Sequence, residues 1–135
     1  MLDSAPFKKF IREFRKSDIV FEENTRGNEM YIVHSGKVRL TTTAPGHEVA
    51  LAEMGQGDFF GEMALCDSAP RTATATVAED DTRLVVLDRD KFLYLISQQP
   101  VFALTIMHAL CQRIRERWNL FDEVLKDTTD QNTGK

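Results

Sequence analysis

The sequence predicts an all-β sandwich or barrel flanked by helices, and three observations predict it. Six of the seven glycines, Gly27, Gly36, Gly46, Gly55, Gly57 and Gly61, fall in the middle of the chain, and from Gly27 to Gly55 they recur every nine or ten residues. Turn signals at that interval, with short apolar runs between them, mark all-β architecture. The runs between them, Met30–His34, Lys37–Thr43, Glu48–Met54, Ala73–Ala78 and Arg83–Asp88, alternate or are rich in β-branched residues, as half-buried strands require. Outside this region the apolar spacing changes from two to three and four, the period of a helix. A chain of 135 residues, 42% hydrophobic and 28% charged, is one domain's worth, and buries a core without disulfide or metal staples.

Taken in order, Phe7, Phe10, Ile11 and Phe14 follow i, i+3, i+4, i+7, which predicts an N-terminal helix with one apolar stripe. The strands follow, and Ala73-Thr74-Ala75-Thr76-Val77 shows the period of two most clearly. Asp88 or Asp90 then caps a short helix that ends before Pro100. A longer helix runs from about Val101 to Leu125. Its apolar positions Met107, Cys111, Ile114, Trp118, Phe121 and Leu125 are spaced four, three, four, three, four, a heptad seam. Residues 126–135 are polar, contain no aromatic side chain and read as a frayed, disordered tail.

Charge is segregated along this order. Residues 1–16 carry a net +3, whereas residues 17–81 carry twelve acids against four bases, a net of −8. Between Arg39 and Arg83 the only arginine or lysine is Arg71. An anion bound by this region must therefore meet Arg71; for most of the acids the simpler reading is a solvated sheet surface. The overall charge of −4 is the wrong sign for a dedicated nucleic-acid-binding domain. No run of about 18 apolar residues is present to span a bilayer. The first residues lack the apolar centre of a secretory signal. Two cysteines, Cys66 and Cys111, make no disulfide framework, so a reduced, cytoplasmic setting is expected.

The stretch that carries chemistry is Gly57-Asp58-Phe59-Phe60-Gly61-Glu62-Met63-Ala64-Leu65, continued by Cys66-Asp67-Ser68-Ala69-Pro70-Arg71-Thr72-Ala73-Thr74. A glycine turn feeds a short helical segment, and an X-Pro bend then opens a strand. Gly61 lets backbone amides approach a ligand closely, and the N–H groups at the start of Glu62–Leu65 form an anion site. Arg71 adds a fixed cation able to hold two phosphate oxygens at once. Glu62 would repel a bare phosphate, yet it accepts a hydrogen bond from a hydroxyl and cannot donate one. Phosphate beside a ribose hydroxyl describes a nucleotide. The alternative is that Glu62 favours a helix start and pairs with Arg71 on the surface.

Phe60-Gly61-Glu62-Met63-Ala64-Leu65 and Pro70-Arg71-Thr72-Ala73-Thr74 strongly resemble the phosphate-binding cassette of cyclic nucleotide-binding domains. This is the family of bacterial catabolite activator sensor domains, the regulatory domains of protein kinases A and G, and cyclic nucleotide-gated channels. Met30-Tyr31-Ile32-Val33 with Ser35-Gly36-Lys37-Val38 resembles the family's early strand–turn–strand, and the resemblance covers roughly residues 5–125.

It implies a mainly β fold: a β-roll (double-stranded β-helix or jelly roll) of about eight strands with an N-terminal helix and two C-terminal helices. It implies a binding domain over 1–125, followed by the tail 126–135. The ligand, cyclic AMP or cyclic GMP, would be held by Gly61, Glu62, Met63, Ala64, Leu65, Pro70, Arg71, Thr72 and Ala73. Glu62 would accept from the ribose 2′-hydroxyl and Arg71 would pair with the cyclic phosphate. Amides around Gly61, Glu62 and Ala64, with Thr72, would complete the cradle, and Leu65 would line the sugar. In relatives that prefer cyclic GMP a threonine after the arginine contacts a syn guanine, while others with a hydroxyl there bind cyclic AMP.

The resemblance further implies reversible sensing without catalysis or a catalytic cofactor. The helix 101–125 would act as a lid, as a homodimer seam or as the surface read by an effector protein; the plain alternative is that it only packs on the sheet. Transcription factors of this family continue into a helix-turn-helix after the long helix. About ten polar residues follow Leu125 here, so a stand-alone sensor that does not bind DNA directly is expected, with an excised domain as the alternative.

Competing classes are weaker on the residues. His34, His47 and His108 are scattered, without the closely spaced histidines and carboxylate of a cupin-type metal site. No nucleophile elbow or Walker loop is present. Arg113, Arg115 and Arg117 read as a solvated flank rather than a nucleic-acid patch. A degenerate relative that binds another small anion, or that serves only as a protein-interaction module, is the second reading; the intact cassette speaks against it.

Overall fold

The computed structural model describes residues 4–133. Helix α1 (Ala5–Lys8) leads into strands β1 (Ile11–Phe14), β2 (Ile19–Phe21), β3 (Met30–Ser35), β4 (Val38–Ala44), β5 (His47–Met54) and β6 (Phe59–Phe60). A 3₁₀ turn (Glu62–Leu65), β7 (Thr74–Val77), β8 (Thr82–Leu87), α2 (Arg89–Gln98) and α3 (Pro100–Thr133) follow. The strands form two four-stranded antiparallel sheets, ordered β1-β8-β3-β6 and β2-β7-β4-β5. This is the eight-stranded roll with flanking helices that the resemblance implies.

Side chains from both sheets fill the core between them. Tyr31, Val33, Leu84, Val86 and Phe60 of the first sheet pack with Val38 and Ala75 of the second, and Phe14, Val20, Phe21, Leu40 and Met54 close the margin. β3 and β8 are buried on both pleats, since Met30, Ile32, Val85 and Leu87 are as inaccessible as their neighbours. Two adjacent central strands buried on both faces read as continuous apolar runs, which is how Met30–Val33 and Leu84–Leu87 appear in the sequence.

The N-terminal segment corrects the sequence reading. The apolar stripe Phe7–Phe14 is not one helix. Helix ends after Lys8, and Ile11–Phe14 pairs with β8 in the register Ile11↔Val85 to Phe14↔Thr82. The physical reason is the edge of β8: the Phe10 carbonyl accepts from the Val86 N–H at 2.9 Å, and β1 satisfies a row of backbone groups that a helix would leave open. Strands β2 and β6, of three and two residues, lie below the length at which alternation is visible.

The chain forms two compact units, Met1–Leu95 and Ile96–Lys135. In the first, the Asp88 carboxylate accepts from the Lys91 N–H at 2.9 Å and caps α2 as expected. In the second, α3 begins at Pro100 and continues to Thr133, past the expected end at Leu125. No glycine or proline interrupts residues 101–133, so nothing local stops the backbone ladder. Residues 134 and 135 lie outside the described residues, as does the side chain of Phe121. The other seam residues, Met107, Cys111, Ile114, Trp118 and Leu125, are exposed in the single chain. No single helix is long and apolar enough to cross a membrane.

Candidate functional site

The site is built where the chain between β2 and β3 meets the chain between β6 and β7. Gly61 ends β6 with φ 75°, in the left-handed region that favours glycine, and turns the backbone into the 3₁₀ segment. There the Ala64 N–H donates to the Gly61 carbonyl at 3.2 Å. After Pro70, Arg71 exchanges backbone hydrogen bonds with the facing loop. Its N–H donates to Thr25 O and its carbonyl accepts from Asn24 N–H, both at 2.8 Å. The Arg26 guanidinium donates to Ser68 O at 2.7 Å. The loop is in turn fixed to the second sheet through Glu23. Its carboxylate accepts from the Thr42 hydroxyl at 2.6 Å and the Thr43 N–H at 3.0 Å, and its own N–H donates to the Thr74 hydroxyl at 2.9 Å.

Arg71 is the centre of this arrangement. It is 7% exposed, a rare degree of burial for an arginine. Nη1 donates to Gly61 O at 3.2 Å and Nη2 to Glu29 O at 2.8 Å. The guanidinium carbon lies 4.2 Å from the centroid of the Phe21 ring and 6.0 Å from that of Tyr31, within cation–π range. Nε is buried and has no hydrogen-bond partner among the described residues. The acceptors that Arg71 does reach are carbonyl dipoles, so an acceptor with formal charge would make a stronger bond to the remaining donor.

Burial pulls the Arg71 guanidinium below its ordinary range, and Tyr31 and Glu29 oppose that shift. The Tyr31 phenol is pushed up to about 12, first by burial and then by the charge of Glu29, whose carboxylate accepts from the Tyr31 hydroxyl at 3.2 Å. The same carboxylate forms an ion pair with Arg12 at 3.1 Å. An arginine stays protonated across the working pH range, so the site presents a permanent cation in a partly apolar setting.

Of the residues that sequence reasoning singled out, Gly61 and Arg71 are in direct contact, and Ala64 is bonded to the same Gly61 carbonyl. Glu62, Ala64 and Leu65 are half-buried, Ala73 is buried, and Met63, Pro70 and Thr72 are exposed. A cavity of about 330 Å³ is lined by Ala64, Leu65, Cys66 and Asp67 together with Asn28 and residues 88–90. Its carboxylates, Asp67, Asp88 and Asp90, face one arginine, Arg89, so it is unsuited to an anion, and Arg71 does not line it. No group of three or more His, Cys, Asp and Glu side chains among the described residues could hold a metal ion. Sequence reasoning missed Phe21, Gly27, Glu29 and Tyr31. They precede Arg71 by some 40 to 50 residues, and no local pattern marks them as its neighbours.

Fold and site together define a two-sheet β-roll with a buried arginine held beside a glycine turn. Comparison with known proteins gives the family. The family profile described as "Cyclic nucleotide-binding domain" matches residues 11–99. The cyclic AMP receptor protein of Thermus thermophilus is 43% identical over 98 residues, which are 72% of this chain and 45% of that protein. A CRP-like cAMP-activated global transcriptional regulator of Mycobacterium tuberculosis is 36% identical over 117 residues, 85% of this chain and 52% of that protein. Among solved structures, the catabolite activator protein of Thermus thermophilus superposes with a TM-score of 0.76 at 36% identity, over 88% of this chain and 56% of that one. The chain belongs to the cyclic nucleotide-binding domain family, a family of regulatory binding modules. It spans about half the length of these relatives.

Proposed function

We propose that the chain reversibly binds a cyclic nucleotide, cyclic AMP or cyclic GMP, as a non-catalytic cytoplasmic sensor. The observation that carries the reading is Arg71: a buried guanidinium with its Nε donor unspent, beside the Gly61 turn. An equatorial phosphate oxygen accepts from Arg71 Nε, and amides of the turn at Gly61–Ala64 complete the cradle. Glu62 accepts from the ribose 2′-hydroxyl, which a carboxylate does well and which places a hydroxyl rather than a second anion beside it. Leu65 lines the sugar, Met63 lies on the rim, Thr72 adds to the cradle, and Pro70 and Ala73 flank the arginine in the segment that leads into β7. No bond is made or broken in the ligand.

Signalling follows by population shift: the ligand stabilises one arrangement of the 61–74 segment, and the state of α3 is coupled to it. The exposed seam of α3 takes a second copy of the chain or an effector protein, and the roll itself makes no DNA contact.

A thermal-shift titration tests this. At a hundredfold excess over the dissociation constant, a ligand bound only by the native state stabilises it by about 2.7 kcal/mol. Cyclic AMP or cyclic GMP is expected to raise the melting temperature of the wild type and to leave that of Arg71→Ala unchanged. No response of the wild type to either nucleotide at millimolar concentration would overturn the reading.

A further inference from the structure

The guanidinium of Arg71 does not merely lie near the Gly61 turn; it occupies a slot cut to its shape by another part of the chain. Phe21, the last residue of β2, lays its ring 4.2 Å from the guanidinium carbon. Gly27 has space for no side chain, because a Cβ there would sit 2.6 Å from Nη2, 3.0 Å from Nε and 3.1 Å from Cζ of Arg71. A Cβ on Gly61 would sit 2.8 Å from Nη1 and 3.3 Å from both Glu29 O and Phe21 Cε2. One aromatic face, two bare glycines and two carbonyl oxygens thus surround a side chain that is otherwise among the most mobile. The wall of the slot cannot drift from the cassette, since Asn24 and Thr25 are bonded to the backbone of Arg71 and Arg26 to Ser68.

We infer that Phe21 and Gly27 are positioning residues of the phosphate site, holding the Arg71 guanidinium in place, with its buried Nε donor unpartnered beside Gly27, before any ligand arrives. The inference rests on the proposed binding of a cyclic nucleotide, and it adds residues to that site which touch the arginine rather than the ligand's phosphate. Stacking on Phe21 offsets part of the desolvation of the charge without consuming a donor, which a carboxylate partner would do. The bare Cα of Gly27 leaves the space in which the guanidinium lies flat against the loop. Preorganisation of this kind raises affinity by removing the ordering of a four-rotor side chain from the binding step.

Two readouts on the full chain test it. The first is calorimetric titration with cyclic AMP and with cyclic GMP. Phe21→Leu, which keeps apolar bulk and removes the ring, is expected to weaken the tighter nucleotide about five- to thirtyfold. Phe21→Tyr, which restores a ring face, is expected to bind within about twofold of wild type. Gly27→Ala is expected to weaken binding like Phe21→Leu with an unchanged melting temperature of the free protein, because its methyl displaces the flexible end of Arg71 and not the backbone.

The second readout is the ¹⁵N–¹H signal of Arg71 Nε in the ligand-free protein, assigned by its loss in Arg71→Lys. A ring-current displacement is expected in wild type and Phe21→Tyr and is expected to vanish in Phe21→Leu and Gly27→Ala. An undisplaced Nε signal in the wild type, or Phe21→Leu and Gly27→Ala both binding within twofold of wild type, would overturn the inference alone. A wild type that binds neither nucleotide would overturn the proposed function and the inference with it.

Discussion

Arg71 brings a permanent charge into a position that is 7% exposed, where its hydrogen bonds to Gly61 and Glu29 and its stacking on Phe21 must offset desolvation. Such a group is poor value for the fold, since replacing a buried charge with an apolar side chain of similar volume is often neutral or stabilising. Arg71→Met is therefore expected to melt, without ligand, at or above the wild-type temperature while losing every response to cyclic nucleotide. A fall of more than about 5 °C would mark the arginine as a structural element instead.

Glu23 behaves in the opposite way. Its carboxyl is held below the ordinary 4.5 by the Thr42 hydroxyl first and the Thr43 N–H second. A depressed native pKa contributes stability that is fully present above the unfolded value and is lost as pH falls through the native one. The stability difference between wild type and Glu23→Gln is expected to be constant near neutrality and to shrink below about pH 4.5. Urea unfolding of both proteins at several pH values measures it; a gap independent of pH would remove Glu23 as the anchor of the loop. The residues of the proposed phosphate cassette were legible because their types are chemically constrained. Glu23 and Phe21 were not, because their partners lie tens of residues away.

At the level of elements, the turn between β3 and β4 shows how tightly the roll depends on single glycines. Gly36 has φ 92°, and a Cβ there would collide with Thr82 Oγ1 and approach the Thr82 Cα to 2.7 Å. Thr82 is fully buried and bonded to Glu79 O at 2.8 Å, so β8 has little room to recede. Gly36→Ala is expected to cost about 2–4 kcal/mol, strain and overpacking together, in chemical unfolding. A loss below about 1 kcal/mol would show that the turn can relax.

Five strands, β3, β4, β5, β7 and β8, were readable from alternation and turn spacing. β1 was misread because four apolar residues at positions 7, 10, 11 and 14 satisfy a helical stripe as well as they fit a short strand. The edge of β8 decides between them, and that edge exists only once the sheet has formed.

For the molecule as a whole, two features matter. Residues 17–81 carry a net of −8 and include the buried Arg71, so under the proposed function the net charge disfavours anions at long range and selectivity would rest on the short-range fit at Arg71. The second feature is the seam of α3. Met107, Ile114 and Trp118 are 58%, 56% and 62% exposed in the single chain, on positions that repeat every three and four residues. Under the proposed function an apolar stripe of that length is the surface that takes a partner. Sedimentation is expected to show a wild-type dimer and a monomeric Ile114→Glu, with the roll's melting behaviour kept. A wild-type monomer at tens of micromolar would discard the homodimer in favour of an effector.

The sequence by itself determined the β class, the order of five strands, the capped α2, the heptad seam and Arg71 as the one arginine or lysine between Arg39 and Arg83. Those properties are local, set by period, turn chemistry and charge over a few residues. Only the tertiary structure decided, first, that Ile11–Phe14 is a strand and, last, that Phe21, Gly27 and Glu29 enclose Arg71. Each of the first and last depends on backbone or side-chain partners brought together from distant stretches, such as the 42 residues between Glu29 and Arg71. Pairwise encounters of that kind leave no periodic trace in a single sequence, because any residue with the right surface could have supplied them.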